Sequence, residues 1–232
     1  MKSVLSGSLV CAIFTAAALL VVTPRAAVAE PEQDTQIWTA LLSNAKLAEG
    51  QSGASLWLDV HARRGGANAL AIVRPGVGWR FSKHLSLWAG YAWIPTDSDE
   101  GQTRQEHRPW QQVIAKTASH GWSFQARTRF EQRLRNDGDD VGLRLRQFLR
   151  ASQDVSSENR FGFVVWNETF VGLNEPDWGA RTGFDQNRLF VGAAAHIRSN
   201  MRLEGGYLAL WVARDGDDLL GHVLATNLFV SL

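Results

Sequence analysis

The chain is poor in cysteine, in long apolar runs and in charge of one sign. Cys11 is the only cysteine among 232 residues, and the 24 Lys and Arg residues are balanced by 23 Asp and Glu residues. After residue 29 no apolar stretch approaches the ~20 residues that a membrane-spanning helix needs. These shortages exclude a disulfide-stapled fold and a bundle of membrane helices. They also give no basis for a nucleic-acid partner, which calls for a strongly basic domain.

The first 29 residues are predicted to be a cleaved export signal. Lys2 starts a short basic region, residues 4–22 are almost unbroken apolar sequence, and Ala27-Val28-Ala29 matches a signal-peptidase site. A retained membrane anchor is the alternative, but the Ala-x-Ala site favours cleavage. No lipid anchor is expected at Cys11, because the small residue that precedes a lipidated cysteine is missing. Cleavage would leave residues 30–232 as one domain, without cysteine and nearly neutral.

Most of the remaining sequence alternates apolar and polar residues with a period of two, which is typical of β-strands. In residues 122–135, for example, one face carries Phe124 and Phe130 and the other carries Arg127 and Arg129. No helical period extends over a comparable length. The alternation predicts ten strands, at residues 51–63, 69–80, 85–94, 106–116, 122–135, 141–152, 160–172, 187–197, 201–214 and 218–232.

The strand count is open between ten and twelve. Residues 34–47 form another apolar segment, yet closed single-chain barrels of outer membranes have even counts. An eleventh strand would therefore require a twelfth, unless this segment lies elsewhere. Short and long connections mostly alternate, as periplasmic turns and extracellular loops do. The predicted fold is all-β: an antiparallel up-and-down transmembrane barrel of 10–12 strands, porin-like in character.

A soluble sandwich or lipocalin-like barrel is the alternative fold. The same alternation would then place the apolar residues in a core and the arginines in water. Five tryptophans fall near predicted strand ends, where the aromatic girdles of a membrane barrel lie, and they favour the membrane barrel. These are Trp79, Trp93, Trp110, Trp122 and Trp211.

The last predicted strand runs to the end of the chain. Leu224, Leu228, Val230 and Leu232 alternate in a way that resembles the terminal strand read by outer-membrane insertion machinery. Such strands usually finish on an aromatic residue, and this one finishes on Leu232. We therefore expect a monomer in the outer membrane of a Gram-negative cell, in contact with its lipid and inserted through this strand.

Six phrases in order along the chain resemble a bacterial family of uncharacterised exported proteins, domain-of-unknown-function family 2490. The resemblance spans nearly all of the sequence after residue 29. It implies an outer-membrane β-barrel and no assigned reaction. The phrases are Asp34-x-Gln36-x-Trp38-Thr39, Arg108-Pro109-Trp110-Gln111-Gln112, Arg127-x-Arg129-x-Glu131-Gln132-Arg133, Arg144-x-Arg146, Gly183-Phe184-Asp185-Gln186-Asn187-Arg188 and Leu203-Glu204-Gly205-Gly206-Tyr207.

Two neighbouring predicted strands carry an excess of arginine on their polar face. If the apolar face meets lipid, these arginines point into the lumen, where they create a positive field and offer planar pairs of donors to carboxylates or phosphates. The sequence therefore predicts a narrow passive channel that favours small anions. The candidate lumen residues are Arg127, Arg129, Glu131, Arg133, Arg144, Arg146, Arg150, Glu168, Arg188 and Glu204, with Arg135, His196 and Arg202 beside them.

Two other functions stay open. The arginines can pair with Glu131, Glu168 and Glu204 as a structural polar core, which gives a closed barrel whose loops bind a partner. A lipid-modifying enzyme would use His107 as its base, but the sequence has no nucleophile elbow, so no catalytic residue is assigned. No metal motif is present and no cofactor is expected.

Overall fold

The computed structural model describes residues 30–66, 68–98, 101, 103–153 and 161–232, so the expected export signal lies outside the described residues. None of the described residues forms a helix long and apolar enough to span a membrane. The regular elements are β1 Glu32–Lys46, β2 Gly53–Gly65, β3 Asn68–Arg80, β4 Leu85–Ser98, β5 Thr103–Ser119, β6 Trp122–Arg135, β7 Gly142–Gln153, β8 Phe161–Gly172, β9 Gly183–Arg198, β10 Met201–Val212 and β11 Leu219–Ser231.

The strands close into one barrel, which confirms the predicted all-β barrel of 10–12 strands. Neighbours in sequence pair antiparallel, and β1 closes the sheet by pairing with β11 in parallel. The expectation of an even count and of wholly antiparallel pairing was wrong. β1 is the segment whose place was open, and it is the eleventh strand. In an odd series of hairpins the first and last strands run in the same direction, so they can close only in parallel.

The ten strands predicted from the alternation match observed strands to within a few residues. The differences lie mainly at strand ends beside loops, where polar residues stay paired beyond the apolar segment. In the β4–β5 hairpin, for instance, Pro95 pairs with Gln105 and Asp97 with Thr103. Backbone hydrogen bonds lengthen these strands, and they do not require alternating side chains.

The two ends of the barrel carry different connections. The β5–β6 turn has positive φ at both central residues, His120 at 50° and Gly121 at 75°, which suits a tight hairpin because its twist matches that of the strands. Residues 81–84 and 199–200 form short turns at this same end, called the turn end here. Residues 136–141, 173–182 and 213–218 lie at the opposite end, the loop end. The β7–β8 connection, residues 154–160, lies outside the described residues.

Apolar side chains face outward and charged ones face inward. Val77 and Phe163 are 62% and 70% exposed, whereas Arg129 and Glu131 are 0% and 1% exposed. A soluble barrel has the opposite arrangement, with an apolar interior and a polar exterior. Exposed large apolar residues lie on nine of the eleven strands, examples being Leu41, Leu58, Val77, Leu87, Leu134, Phe163, Leu189, Tyr207 and Leu224.

Trp110 does not belong to an outer girdle, and its placement there from the sequence was wrong. It lies inside the barrel, fully buried, in an apolar cluster with residues such as Ile72 and Trp88. Two glycines make room for it: a Cβ at Gly76 or Gly90 would come within 2.7 or 2.4 Å of its ring. The register of β5 turns Trp110 inward, and the missing side chains of β3 and β4 accommodate it.

Candidate anion-binding site

The arginine wall lies on β6 and β7. The register places Arg129 directly opposite Arg146, and Glu131 opposite Arg144. Like charges in facing positions repel each other, so this wall needs carboxylates between its guanidinium groups. All ten candidate lumen residues lie along the inner face of the barrel. Nine of them come together around three carboxylates, Glu131, Glu168 and Glu204, whereas Arg133 pairs with Glu106.

Glu131 is the first of these carboxylates. It accepts hydrogen bonds from Arg144 Nη2 at 2.7 Å and from Arg146 Nη1 at 2.6 Å. Arg129 Nη1 lies 3.9 Å from its Oε1. One carboxylate thus lies between three arginines, and all four side chains are buried. This cluster keeps a net positive charge.

Glu168 is the second carboxylate, and it serves three arginines from three strands. Its Oε1 accepts from Arg127 Nη2 and from Arg146 Nη2, each at 2.7 Å. Arg188 Nη1 lies 3.9 Å from Oε2. Because Arg146 reaches both Glu168 and Glu131, the two carboxylates form one continuous network.

Glu204 holds the turn end of the wall. It pairs with Arg150 across the barrel and with Arg202 at 3.0 Å on its own strand, and it is fully buried. The two predicted neighbours Arg202 and His196 line the same space. Arg135 lies at the loop end instead, where it pairs with Asp137.

A layer of tightly packed side chains closes the lumen toward the loop end. We call it the seal, and no member is more than 6% exposed. The guanidinium carbon of Arg129 lies 4.6 Å from the Trp110 ring centre, and that of Arg144 lies 4.9 Å from the Phe170 ring centre. Such contacts between guanidinium groups and aromatic rings fill the cross-section of the barrel at this level. The seal consists of Trp110, Arg129, Glu131, Arg144 and Phe170.

A second layer covers the seal. Glu106, which the sequence did not single out, accepts from Arg108 Nε at 2.7 Å and from Arg133 Nε at 2.5 Å. The guanidinium carbons of Arg133 and Arg135 lie 4.8 and 4.7 Å from the ring centre of Trp178, in the β8–β9 loop. That loop therefore lies over the end of the arginine wall.

The β8–β9 loop is fastened to the β6–β7 loop. The Asp177 carboxylate accepts hydrogen bonds from the backbone N–H of Asp139 at 2.9 Å and of Asp140 at 3.2 Å. These N–H groups hold the pKa of Asp177 below its usual range. Trp178 Nε1 donates to the backbone carbonyl of Asp140 at 2.9 Å. The cover over the seal is thus held from both loops.

On the other side of the seal lies a cavity of about 630 Å³. Its lining reaches the turn end at Lys83, His84, Ser199 and Asn200. Among the described residues it includes none from the loops at 136–141, 173–182 and 213–218. The cavity is therefore entered from the turn end and ends at mid-barrel. Its described lining has nine cations against three carboxylates: Arg63, Arg74, Lys83, Lys116, Arg127, Arg146, Arg150, Arg188 and Arg202 against Asp59, Glu168 and Glu204.

Sequence reasoning missed the wall that faces the arginines across this cavity. Trp57, Asp59, His61 and Arg63 project inward from β2, and Arg74 projects from β3 to pair with Asp59 at 3.1 Å. The signal was present, because these four β2 residues form the polar face of a strand that was predicted. They were missed because the sequence pattern shows which residues share the face of one strand, whereas only the closed barrel brings distant strands face to face.

His107 lies on the outer face of the barrel, away from the cavity. Its Nδ1 forms a hydrogen bond with the hydroxyl of Tyr91. His222 and Tyr207 form the same kind of pair elsewhere on the exterior, at 2.7 Å. The same Tyr–His arrangement therefore occurs twice on the exterior. Among the described residues, no group of three His, Cys, Asp or Glu could hold a metal ion.

Comparison with known proteins gives a family and no activity. The model of a family described as a protein of unknown function (DUF2490) matches residues 35–220. An uncharacterised protein of Methylorubrum extorquens is 36% identical over 224 residues, which cover 94% of this chain and 96% of the relative. No solved structure matches the chain.

Proposed function

The chain belongs to the DUF2490 family of proteins of unknown function, and we propose that it is a closed β-barrel of the bacterial outer membrane that binds small anionic solutes from its turn end. The observation that carries the proposal is the inverted barrel. Its exterior is apolar, and its interior holds a one-ended cavity with an excess of arginine.

The exterior supports a lipid environment. Apolar side chains such as Leu58, Val77 and Phe163 are exposed around the barrel, and large exposed apolar surfaces mark sites of contact with a membrane or a partner. Trp79, Trp93 and Trp122 are exposed on the same surface, as in an aromatic girdle. A closed sheet also satisfies its own backbone groups, which lipid requires.

Export and insertion fit the same location. Residues 1–29 have the sequence of a cleaved export signal. The C-terminal strand β11 pairs with both β10 and β1, so it is the strand that completes the barrel. Closure leaves no free strand edge for pairing with a second copy, which favours a monomer. Outer-membrane barrels have short turns on the periplasmic side, so the turn end would face the periplasm.

The seal favours binding over passage. Arg129 packs on the ring of Trp110, Arg144 packs on the ring of Phe170, and Glu131 lies next to both arginines, so the route from the cavity to the loop end is filled. The cations left unmatched in the cavity are costly to bury without partners, because the interior solvates charge poorly. Anions that enter from the turn end would supply the missing charge.

Conductance measurements test the closed lumen. In planar bilayers the purified barrel is expected to give no steady current above that of lipid alone. The double variant Arg129→Ala with Phe170→Ala, which empties the seal, is expected to open a current. The matched control Arg181→Ala alters an exposed loop arginine and is expected to stay silent.

A narrow passive channel that prefers anions is the second candidate, because the arginines continue on both sides of the seal. It predicts a steady anion-selective current in the unmodified protein. It also predicts a shift toward cations in Arg129→Glu or Arg146→Glu. Those two results together would replace the closed barrel with the channel.

A further inference from the structure

The cavity walls are aromatic as well as cationic. Trp38 and Trp57 line one side, and Phe148 and Trp166 line the other. Phe148 and Trp166 lie 5.5 Å apart between ring centres. A site for simple inorganic anions needs only charge and hydrogen-bond donors. These rings add flat apolar surface, which such an ion would not use.

Buried donors with no acceptor point to a missing polar group. Trp57 Nε1 and the Nε atoms of Arg63, Arg74 and Arg127 are buried, and no described residue accepts a hydrogen bond from them. All four residues line the cavity. Buried N–H groups almost always have a partner, and leaving one unpaired costs stability. The walls of this cavity therefore hold more hydrogen-bond donors than the described residues can pair, which favours a ligand that accepts hydrogen bonds.

Arg63 is the clearest of these groups. Its guanidinium carbon lies 3.9 Å from the ring centre of Trp38, and among the described residues it forms no ion pair. The guanidinium carbon of Arg188 lies 4.9 Å from the same ring centre. A guanidinium plane held against an indole stays directed and charged, with its edge available to a carboxylate or phosphate.

We propose that the cavity binds an aromatic acid: a flat ring that carries one carboxylate or phosphate group and enters from the turn end. The acid group accepts hydrogen bonds from the guanidinium group of Arg63. The ring packs against the side chains of Trp57, Phe148 and Trp166 that line the cavity. The proposal rests on the proposed function only in that the cavity takes anions. About 630 Å³ falls within the ~300–1,000 Å³ of ordinary ligand sites and holds more than a single ion.

Calorimetric titration of the purified barrel in detergent tests the ligand class with four compounds. 2-Naphthoate and 1-naphthyl phosphate carry both the ring and the charge, acetate carries only charge, and 2-naphthamide carries only the ring. The two naphthyl acids are expected to bind at least about tenfold more tightly than either partial probe, because ring stacking and charged hydrogen bonds act together. The acid that binds more tightly shows whether the site prefers a carboxylate or a phosphate group.

Variants of neighbouring arginines locate the acid group. Arg63→Gln is expected to weaken naphthoate binding about tenfold or more, the usual effect of losing a charge-assisted hydrogen bond. Arg63→Lys keeps the positive charge but loses the planar pair of donors, so its affinity for naphthoate is expected to lie between those of the unmodified protein and Arg63→Gln. This variant also provides a test if Arg63→Gln does not fold. Arg64→Gln is the matched control, since Arg64 is the next residue along β2 and lies exposed on the other face.

Four outcomes would overturn the aromatic acid. Equal binding of acetate and naphthoate would leave a general anion site, with the proposed function intact. Tighter binding of decanoate than of naphthoate would replace the aromatic acid with an alkyl one. If Arg64→Gln weakened naphthoate binding as much as Arg63→Gln does, the loss would reflect the overall charge of the protein and not a contact with Arg63. Binding of none of the anions would remove the proposed anion binding as well.

Discussion

Glu168 shows how this interior is held together at the scale of single residues. Its side chain is almost fully buried and lies next to Arg127, Arg146 and Arg188. Each of these arginines comes from a different strand, so one carboxylate links β6, β7, β8 and β9. A buried charge that loses its partner costs far more than an exposed one, because the surroundings solvate it poorly. The stability of the wall therefore depends on a few acidic residues.

The variant Glu168→Gln tests this dependence. Removing one partner of a buried ion pair costs about 3–5 kcal/mol, so the free energy of unfolding is expected to fall by that order. The measurement is urea unfolding of the barrel in lipid vesicles. Glu49→Gln, at an exposed position in the β1–β2 turn, is the control and should change little. A loss below about 1 kcal/mol, the value of an exposed pair, would mean that the three arginines do not depend on Glu168.

At the scale of elements, β1 decides the architecture. It pairs with β2 antiparallel and with β11 parallel, so it is bonded along both edges. Without it the remaining ten strands would leave the edges of β2 and β11 unpaired. Its side chains also reach the site, because Trp38 projects inward under the guanidinium of Arg63.

Paired cysteines test the direction of β1 in the chain without residues 1–29, which contains no native cysteine. The parallel register places Ile37 opposite Leu224 and Leu41 opposite Leu228. Neighbouring strands lie about 4.8 Å apart, within the range that a disulfide spans. Cysteines at either pair are therefore expected to cross-link on mild oxidation, seen as a mobility shift on gels.

The exchanged pairs, Ile37 with Leu228 and Leu41 with Leu224, are the controls. In the parallel register each is offset by four residues, roughly 13 Å, which is too far for a disulfide. An antiparallel closure would bring exactly these exchanged positions together. Efficient cross-linking of the exchanged pairs would therefore contradict the eleven-strand closure.

At the scale of the whole molecule, the proposed membrane location would give the barrel different surroundings outside and inside. Lipid would surround the apolar exterior, and the interior solvates its charges with its own carboxylates and with whatever enters the cavity. A soluble barrel would gain from polar residues on the outer face, whereas a membrane barrel loses stability with each one. A charged substitution on the outer face can therefore distinguish a membrane barrel from a soluble barrel.

Leu58→Arg on the outer face of β2 is the test. A charged residue on the lipid face near the middle of the membrane costs about 2–4 kcal/mol, so the free energy of unfolding in vesicles is expected to fall by that amount. Leu58 is 41% exposed and lies at mid-strand. Gln51→Arg, in the β1–β2 turn, is the control. A Leu58→Arg protein that stays folded and dissolves without lipid or detergent would contradict the membrane location.

Much of the fold follows from local sequence, as β6 illustrates. Phe124 and Arg127 fall on opposite faces of any extended chain, because side chains alternate across a strand. The strand, its two faces and the arginine wall were therefore readable in advance. The seal could not be predicted in this way. Trp110 was assigned to the outer face because no local pattern shows that Gly76 and Gly90 leave room for it inside the barrel.

The sequence by itself determined the strands, their polar and apolar faces, and the family, because the alternation and the ordered phrases are local properties. Only the tertiary structure decided how the barrel closes and what faces the arginines. Parallel closure of β1 on β11 depends on the number of strands in the finished sheet. The cavity depends on contacts such as that of Arg188 with Trp38, which closure brings together from strands more than a hundred residues apart.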